Sequence, residues 1–177
     1  MSTRLSSRYI LLSVTLVLTA CGNGSGSSSQ ATPSTSDTIN GIQVPPDPGA
    51  AANATIVGVD VNANGLRDEV ERSIATKYGS SANQYQAAVV SAKAYQTLLI
   101  TDQTNINAVN DALQASSKAA GCSMQKLSND AATASHIASE AYLLTYNTPE
   151  RIGKRKAVVS ASSPMSGNAD SSVDLCQ

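Results

Sequence analysis

Apolar positions recur at helical spacing through the last two thirds of the chain, while in the first third they form one short run near the start and are otherwise sparse. Leu66, Val70, Ile74 and Tyr78 fall four apart and so share one helical face, and Gly79 follows where a helix would stop. Ser81 with Gln84 three residues on fits a capping box, and Tyr85, Ala88, Val89, Ala92, Tyr95 and Leu99 form the stripe of a second helix. Asp102 is the expected cap of a third helix, with Ile106, Val109 and Leu113 inward and Gly121 at its end. Ser128 is the expected cap of a fourth, with Ala134, Ile137, Ala141 and Leu144 inward. Thr148-Pro149-Glu150 reads as a further start, because proline is tolerated at the first helical position and an acid favours the positive end of the dipole. Beyond it, residues 160–168 read as loop.

Before the first helix the pattern is different. From Gly22 to about Asp37 the chain is Gly, Asn, Ser, Gln, Thr and Ala, a composition that cannot bury enough surface to offset the entropy of ordering. Val44-Pro45-Pro46-Asp47-Pro48-Gly49 then favours extended polyproline geometry. Residues 21–49 are therefore expected to be a disordered tether, about 30 Å end to end as coil. Residues 50–177 are expected to be the folded part. The fold class that follows is all-α, a small bundle of about four helices.

Composition narrows the function. Twelve Lys and Arg stand against thirteen Asp and Glu, which leaves no basic footprint for phosphate backbones, so no nucleic-acid partner is expected. A single histidine removes most metal-hydrolase sites and leaves any His-dependent triad resting on one residue. With no Phe and no Trp the core lacks large aromatic side chains and should be marginal. Of the three cysteines, Cys122 and Cys176 fall in the helical part. In an exported chain they are expected to be bonded to each other, with a pair of free thiols as the alternative.

Export is read from the first twenty residues. Arg4 and Arg8 precede an apolar run from Ile10 to Ala20 that is far shorter than the roughly 20 residues a membrane span needs. Residues 1–20 therefore read as a signal peptide. The run ends in Leu18-Thr19-Ala20-Cys21, which resembles the lipobox of bacterial lipoproteins. That resemblance implies that Cys21 is lipidated and becomes the first residue after cleavage, anchoring the protein to a membrane through its acyl chains. With Gly22 and Asn23 after the cysteine rather than an acid, the implied address is the outer membrane of the cell envelope, on its periplasmic face or at the surface.

Asp60-Val61-Asn62-Ala63-Asn64-Gly65-Leu66-Arg67-Asp68-Glu69-Val70-Glu71 resembles the calcium loop of the EF-hand. Calcium is a hard cation that takes six to eight oxygens, and alternate side chains along a tight loop can converge on one point. The resemblance implies Asp60, Asn62 and Asn64 as ligands at positions one, three and five, and the carbonyl of Leu66 at position seven. Asp68 follows at nine, directly or through water, and Glu71 at twelve. Gly65 falls where the loop must turn. Arg67 departs from the pattern, since an aliphatic residue usually stands there, and Ala54 to Val59 looks extended where an EF-hand has its incoming helix. One structural calcium ion is expected, with a dissociation constant on the order of 10⁻⁵ to 10⁻³ M. The alternative is a polar Asn-Gly turn followed by acids that complement the helix dipole.

Lipobox, polar tether, a DxNxNGxRDExE loop and a short helical part with late cysteines together resemble a group of uncharacterised lipoproteins of Gram-negative bacteria. Other features carry less. His136 and Glu140 are four apart on one helix, but no third ligand is placed beside them, and a solvated face is expected. Arg151, Lys154, Arg155 and Lys156 form a basic cluster, also expected to be solvated, with anionic lipid as the other reading. No GxSxG is present, and no Ser or Cys is placed near His136. The chain is thus expected to be a non-enzymatic, lipid-anchored protein that meets an unidentified envelope protein. The alternative is a periplasmic inhibitor or immunity lipoprotein against a toxin or hydrolase.

Overall fold

The computed structural model describes residues 36–162 and 174–176. The expected signal peptide, Cys21, the first part of the expected tether and most of the loop expected at 160–168 lie outside the described residues.

The fold is all-α with a small β-hairpin attached. Strand β1, Asp37–Ile39, pairs antiparallel with β2, Ile42–Val44, so that Asp37 faces Val44, Thr38 faces Gln43 and Ile39 faces Ile42. Asn40 and Gly41 make the turn with φ of 50° and 80°, the mirror-image turn whose twist suits two strands. The hairpin docks on the first helix, where Asn40 Nδ2 donates to Ala75 O at 2.9 Å and Arg72 donates to Asp37 and to Pro45 O. Val44 is buried. This corrects the reading of 21–49 as tether throughout: Ile-Asn-Gly-Ile-Gln-Val carries a two-residue turn between alternating positions, and residues 37–44 belong to the folded part.

A single 3₁₀ turn, Gly49–Asn53, follows, and the chain then bends without regular structure to the loop. Five α-helices come after it: α1 Asp68–Tyr78, α2 Ala82–Ile100, α3 Ile106–Lys126, α4 Ala131–Thr145 and α5 Pro149–Ser160. Four of them start on a side-chain cap. Ser81 accepts from Gln84 N, Asn105 from Ala108 N, Asp130 from Thr133 N and Thr148 from Arg151 N, each satisfying an N–H that has no partner within the helix.

Three of the expected boundaries move. Asp102 does not cap α3, because its carboxylate turns back onto the N–H and hydroxyl of Thr104, and Asn105 takes the role. Ser128 and Asn129 both have left-handed φ (55° and 63°), so α4 begins only after them, on Asp130. Gly121 does not end α3, which continues to Lys126. Ile106 is 41% exposed rather than inward, since as the first helical residue it overhangs the end of the bundle.

Helix α2 is the hub and touches α1, α3, α4 and α5. The main core joins Leu66, Val70, Ile74 and Tyr78 to Ala87, Ala88 and Ala92 of α2 and to Ile137 and Ala141 of α4. Tyr85, Val89, Tyr95 and Leu144 pack on it. Leu98, Val109, Ala112 and Val158 form a second, smaller cluster. Alanine on the facing sides of α2 and α4 lets the helices approach closely. In place of Phe and Trp, Tyr95, Tyr142 and Tyr146 pack edge to face and tilted, with ring centroids 4.8–5.9 Å apart. Cys122 and Cys176 are bonded to each other, which fixes residues 174–176 on α3. Gly121 makes room for that contact, because a Cβ there would lie 2.2 Å from Leu175 Cδ1.

Candidate metal centre

The loop from Asp60 to Glu71 closes on itself through its polar side chains. Asp60 Oδ1 accepts from Asn64 N at 3.1 Å, and Asp60 Oδ2 from Gly65 N at 2.8 Å. Asn62 Oδ1 accepts from Asn64 N and Asn64 Oδ1 from Leu66 N, a run of short side-chain turns that curls the backbone tightly. Gly65 has a φ of +82°, which completes the turn at low cost only because it lacks a side chain. Glu71, on the first turn of α1, reaches back across the loop, and its Oε2 accepts from Asn62 Nδ2 at 3.1 Å and Asn64 Nδ2 at 2.9 Å.

Asp68 closes the loop from the other side. Its Oδ1 accepts from Val61 N at 3.0 Å, and its N–H donates to Val59 O at 2.9 Å. The residue is fully buried, and its second oxygen, Oδ2, has no hydrogen-bond partner. Burial pushes the Asp68 carboxyl above the usual carboxylate range; the N–H of Val61 opposes the rise, while the nearby charges of Asp60, Glu71 and Glu69 add to it. Leu66 turns its side chain into the core, at 1% exposure, which leaves only its backbone for the loop.

The loop thus brings together Asp60, Asn62, Asn64, Asp68 and Glu71. Among the described residues no three His, Cys, Asp or Glu side chains stand together as a metal-binding group, so the two amides are needed to complete any donor set. Their NH₂ edges face Glu71. An ion would require their Oδ1 edges there instead, half a turn about Cβ–Cγ. The donor types suit a hard cation: carboxylate and amide oxygens, with Asp68 under the charge of Asp60 and Glu71 and its buried Oδ2 without a partner.

Two arginines tie this loop to the rest of the molecule, and both are fully buried. Arg67, the departure from the EF-hand pattern, sends its side chain into the bundle. Its Nε donates to Glu69 at 2.6 Å, and its Nη2 donates to Leu144 O at 3.0 Å and Thr145 O at 2.9 Å. Those carbonyls end α4, where the dipole favours a cation. Arg151 was expected on a solvated basic face and is instead enclosed by the segment before the loop. It donates to Ala52 O, Thr55 O and Ile56 O at 2.7–3.1 Å and to the side chains of Asn53 and Asn147 at 2.7 and 2.6 Å. Burial lowers both guanidinium pKa values. The missed signal is the interval of two helical turns between Arg151 and Val158, which puts the arginine on the buried stripe of α5.

The remaining candidates are placed as follows. Arg155 lies over Tyr142 and Tyr146, its guanidinium carbon 5.0 and 5.7 Å from the ring centroids, so two of the four basic residues are committed to the bundle. Lys154 contacts Gln103, and Lys156 is exposed. His136 is exposed, and Glu140 is paired with Lys77 rather than with a shared metal. Among the described residues no helix is long and apolar enough to cross a membrane. Comparison with protein-family models, with curated proteins and with solved structures finds no match to this chain.

Proposed function

We propose that the protein is a non-enzymatic, lipid-anchored component of the cell envelope, held at the outer membrane through acyl chains on Cys21, with one structural calcium ion in the loop Asp60–Glu71. Its role is that of a protein-interaction module for another envelope protein. The observation that carries the reading is the closure of the loop by Glu71 around Asn62 and Asn64, beside a buried Asp68 whose Oδ2 lacks a partner. Calcium would offset the charge that Asp60 and Glu71 place on Asp68 and would fix the start of α1. An ion held at 10⁻⁵ to 10⁻³ M would be bound constantly outside the cytosol, as a structural part and not a signal.

Two experiments test the two halves separately. Calorimetric titration of calcium should show one site in the wild type and none in Asp60→Ala/Glu71→Ala. Metabolic labelling with palmitate should mark the wild type and leave Cys21→Ser unlabelled and released from the membrane fraction. Absence of heat at millimolar calcium removes the ion from the account; absence of label removes the anchor.

A further inference from the structure

Residues 52–57 lead into the calcium-type loop and make no regular secondary structure after Asn53. They are seated by side chains from elsewhere. Arg151 takes the carbonyls of Ala52, Thr55 and Ile56, and Gln96 Nε2 donates to Val57 O at 3.1 Å. With those carbonyls turned inward, the Ile56 and Val57 side chains are left exposed, at 38% and 56%. Gly58 then passes so close to Arg67 that a Cβ there would lie 2.2 Å from Arg67 Cδ.

The same groups reach the loop. Gln96 Oε1 accepts from Arg67 Nη1 at 3.3 Å, and Glu69 Oε1 accepts from Arg67 Nε at 2.6 Å while standing 3.9 Å from Arg151 Nη1. Arg67 and Glu69 flank Asp68, the buried carboxylate of the loop, in sequence. A set of polar contacts therefore links Arg67, Glu69, Gln96 and Arg151 to residues 52–57, and the backbone of Arg67 and Glu69 joins it to Asp68 between them. Opening part of such a network leaves the buried guanidiniums of Arg67 and Arg151 short of acceptors, which favours its forming or opening as a unit.

We propose that ion binding in the loop and the seating of residues 52–57 on α5 are one coupled equilibrium, carried by Arg67, Glu69 and Arg151. The ion fixes Asp68 and so the start of α1, which sets Arg67 and Glu69 where Arg151 and Gly58 can pack. Seating the segment in turn organises the loop, because coupling between two binding equilibria is reciprocal. The consequence is that calcium governs how Ile56 and Val57 are presented to solvent. This inference rests on the calcium reading above.

The test is amide hydrogen exchange with mass spectrometry on the full chain in detergent, with and without calcium, beside calorimetry on the same sample. Calcium should slow exchange about tenfold or more at Ala54 and Gly58, as well as within the loop. Glu69→Gln keeps every proposed ligand, and Asn53→Ala removes an exposed acceptor of Arg151 that lies outside the loop. Each should weaken calcium binding about 5-fold or more, Glu69→Gln the more strongly. Unchanged affinity in Asn53→Ala, together with exchange at Ala54 and Gly58 indifferent to calcium that demonstrably binds, overturns the coupling and leaves the calcium site standing. A wild type that binds no calcium by calorimetry overturns both.

Discussion

Arg67 and Arg151, far apart in the chain and both fully buried, approach the same oxygen of Glu69, at 2.6 Å and 3.9 Å. One carboxylate cannot balance two guanidiniums, and backbone carbonyls complete the shell: the end of α4 for Arg67 and residues 52–56 for Arg151. This is where the helices, the irregular segment and the loop are joined.

Arg151→Met should destabilise the fold by about 3 kcal/mol or more, because it leaves the carbonyls of Ala52, Thr55 and Ile56 without their donor and Glu69 with less compensation. Urea unfolding should show the midpoint falling sharply. Lys156→Met, on the same helix but exposed, should leave the midpoint within about 0.5 kcal/mol of wild type.

Two glycines with left-handed φ should differ in sensitivity. Gly65 has open space where a Cβ would go, so Gly65→Ala should cost only the backbone strain, about 1–2 kcal/mol. Gly58 combines a φ of +75° with the close approach of Arg67, and Gly58→Ala should cost distinctly more. Thermal melts of the two variants side by side decide the order; equal losses would mean that the packing of Arg67 against Gly58 contributes nothing.

Much of this architecture is legible from the sequence, because the information is periodic and local. The stripes Val70-Ile74-Tyr78 and Ala134-Ile137-Ala141 are core, Gly79, Ser81 and Thr148-Pro149 sit at helix ends, and Cys122 is bonded to Cys176. The hairpin was obscured by its neighbours, a polar Ser/Thr-rich approach and a proline run, although Asn40-Gly41 is a strong turn signal. Caps were misplaced where two polar residues compete within a few positions, as with Asp102 and Asn105, since either can accept an N–H and the winner depends on tertiary packing. Arg151 was the deepest omission. A charged residue at an apolar-stripe position reads as surface unless its acceptors are known, and here they lie almost a hundred residues upstream. At the loop, spacing identified the polar residues that gather, but not the role of Arg67.

The disulfide should contribute about 4 kcal/mol by closing a loop of sequence separation 54, before any strain is subtracted. Reduction, or Cys122→Ser/Cys176→Ser, should lower the urea midpoint accordingly. Gly121→Val should displace Leu175 and reproduce part of that loss with the disulfide intact. If the loss on reduction stays below about 0.5 kcal/mol, the segment around Cys176 is bonded to the bundle without supporting it.

Tyr78, Tyr85, Tyr95 and Tyr146 are all pushed by burial above the ordinary tyrosine value, Tyr146 the furthest. Below about pH 10 they are neutral in both folded and unfolded chains and contribute no pH dependence. Above it the unfolded chain loses protons that the folded chain keeps, so stability must fall as pH rises. Ultraviolet titration should show these phenols ionising together with loss of helical circular dichroism. Smooth ionisation near pH 10 with the helices intact would contradict their burial.

Asp60 to Glu71 is proposed as an ion site that holds the start of α1. Its most direct test is the thermal unfolding of wild type and Asp60→Ala/Glu71→Ala across a calcium series, with magnesium as the control cation. At a hundred times the dissociation constant, binding to the folded state alone should add about 2.7 kcal/mol and raise the wild-type midpoint by about 10 °C, with no response in the variant. A wild-type midpoint that does not move at millimolar calcium, or that moves equally in the variant, would contradict the account and leave the segment a polar turn in front of a helix.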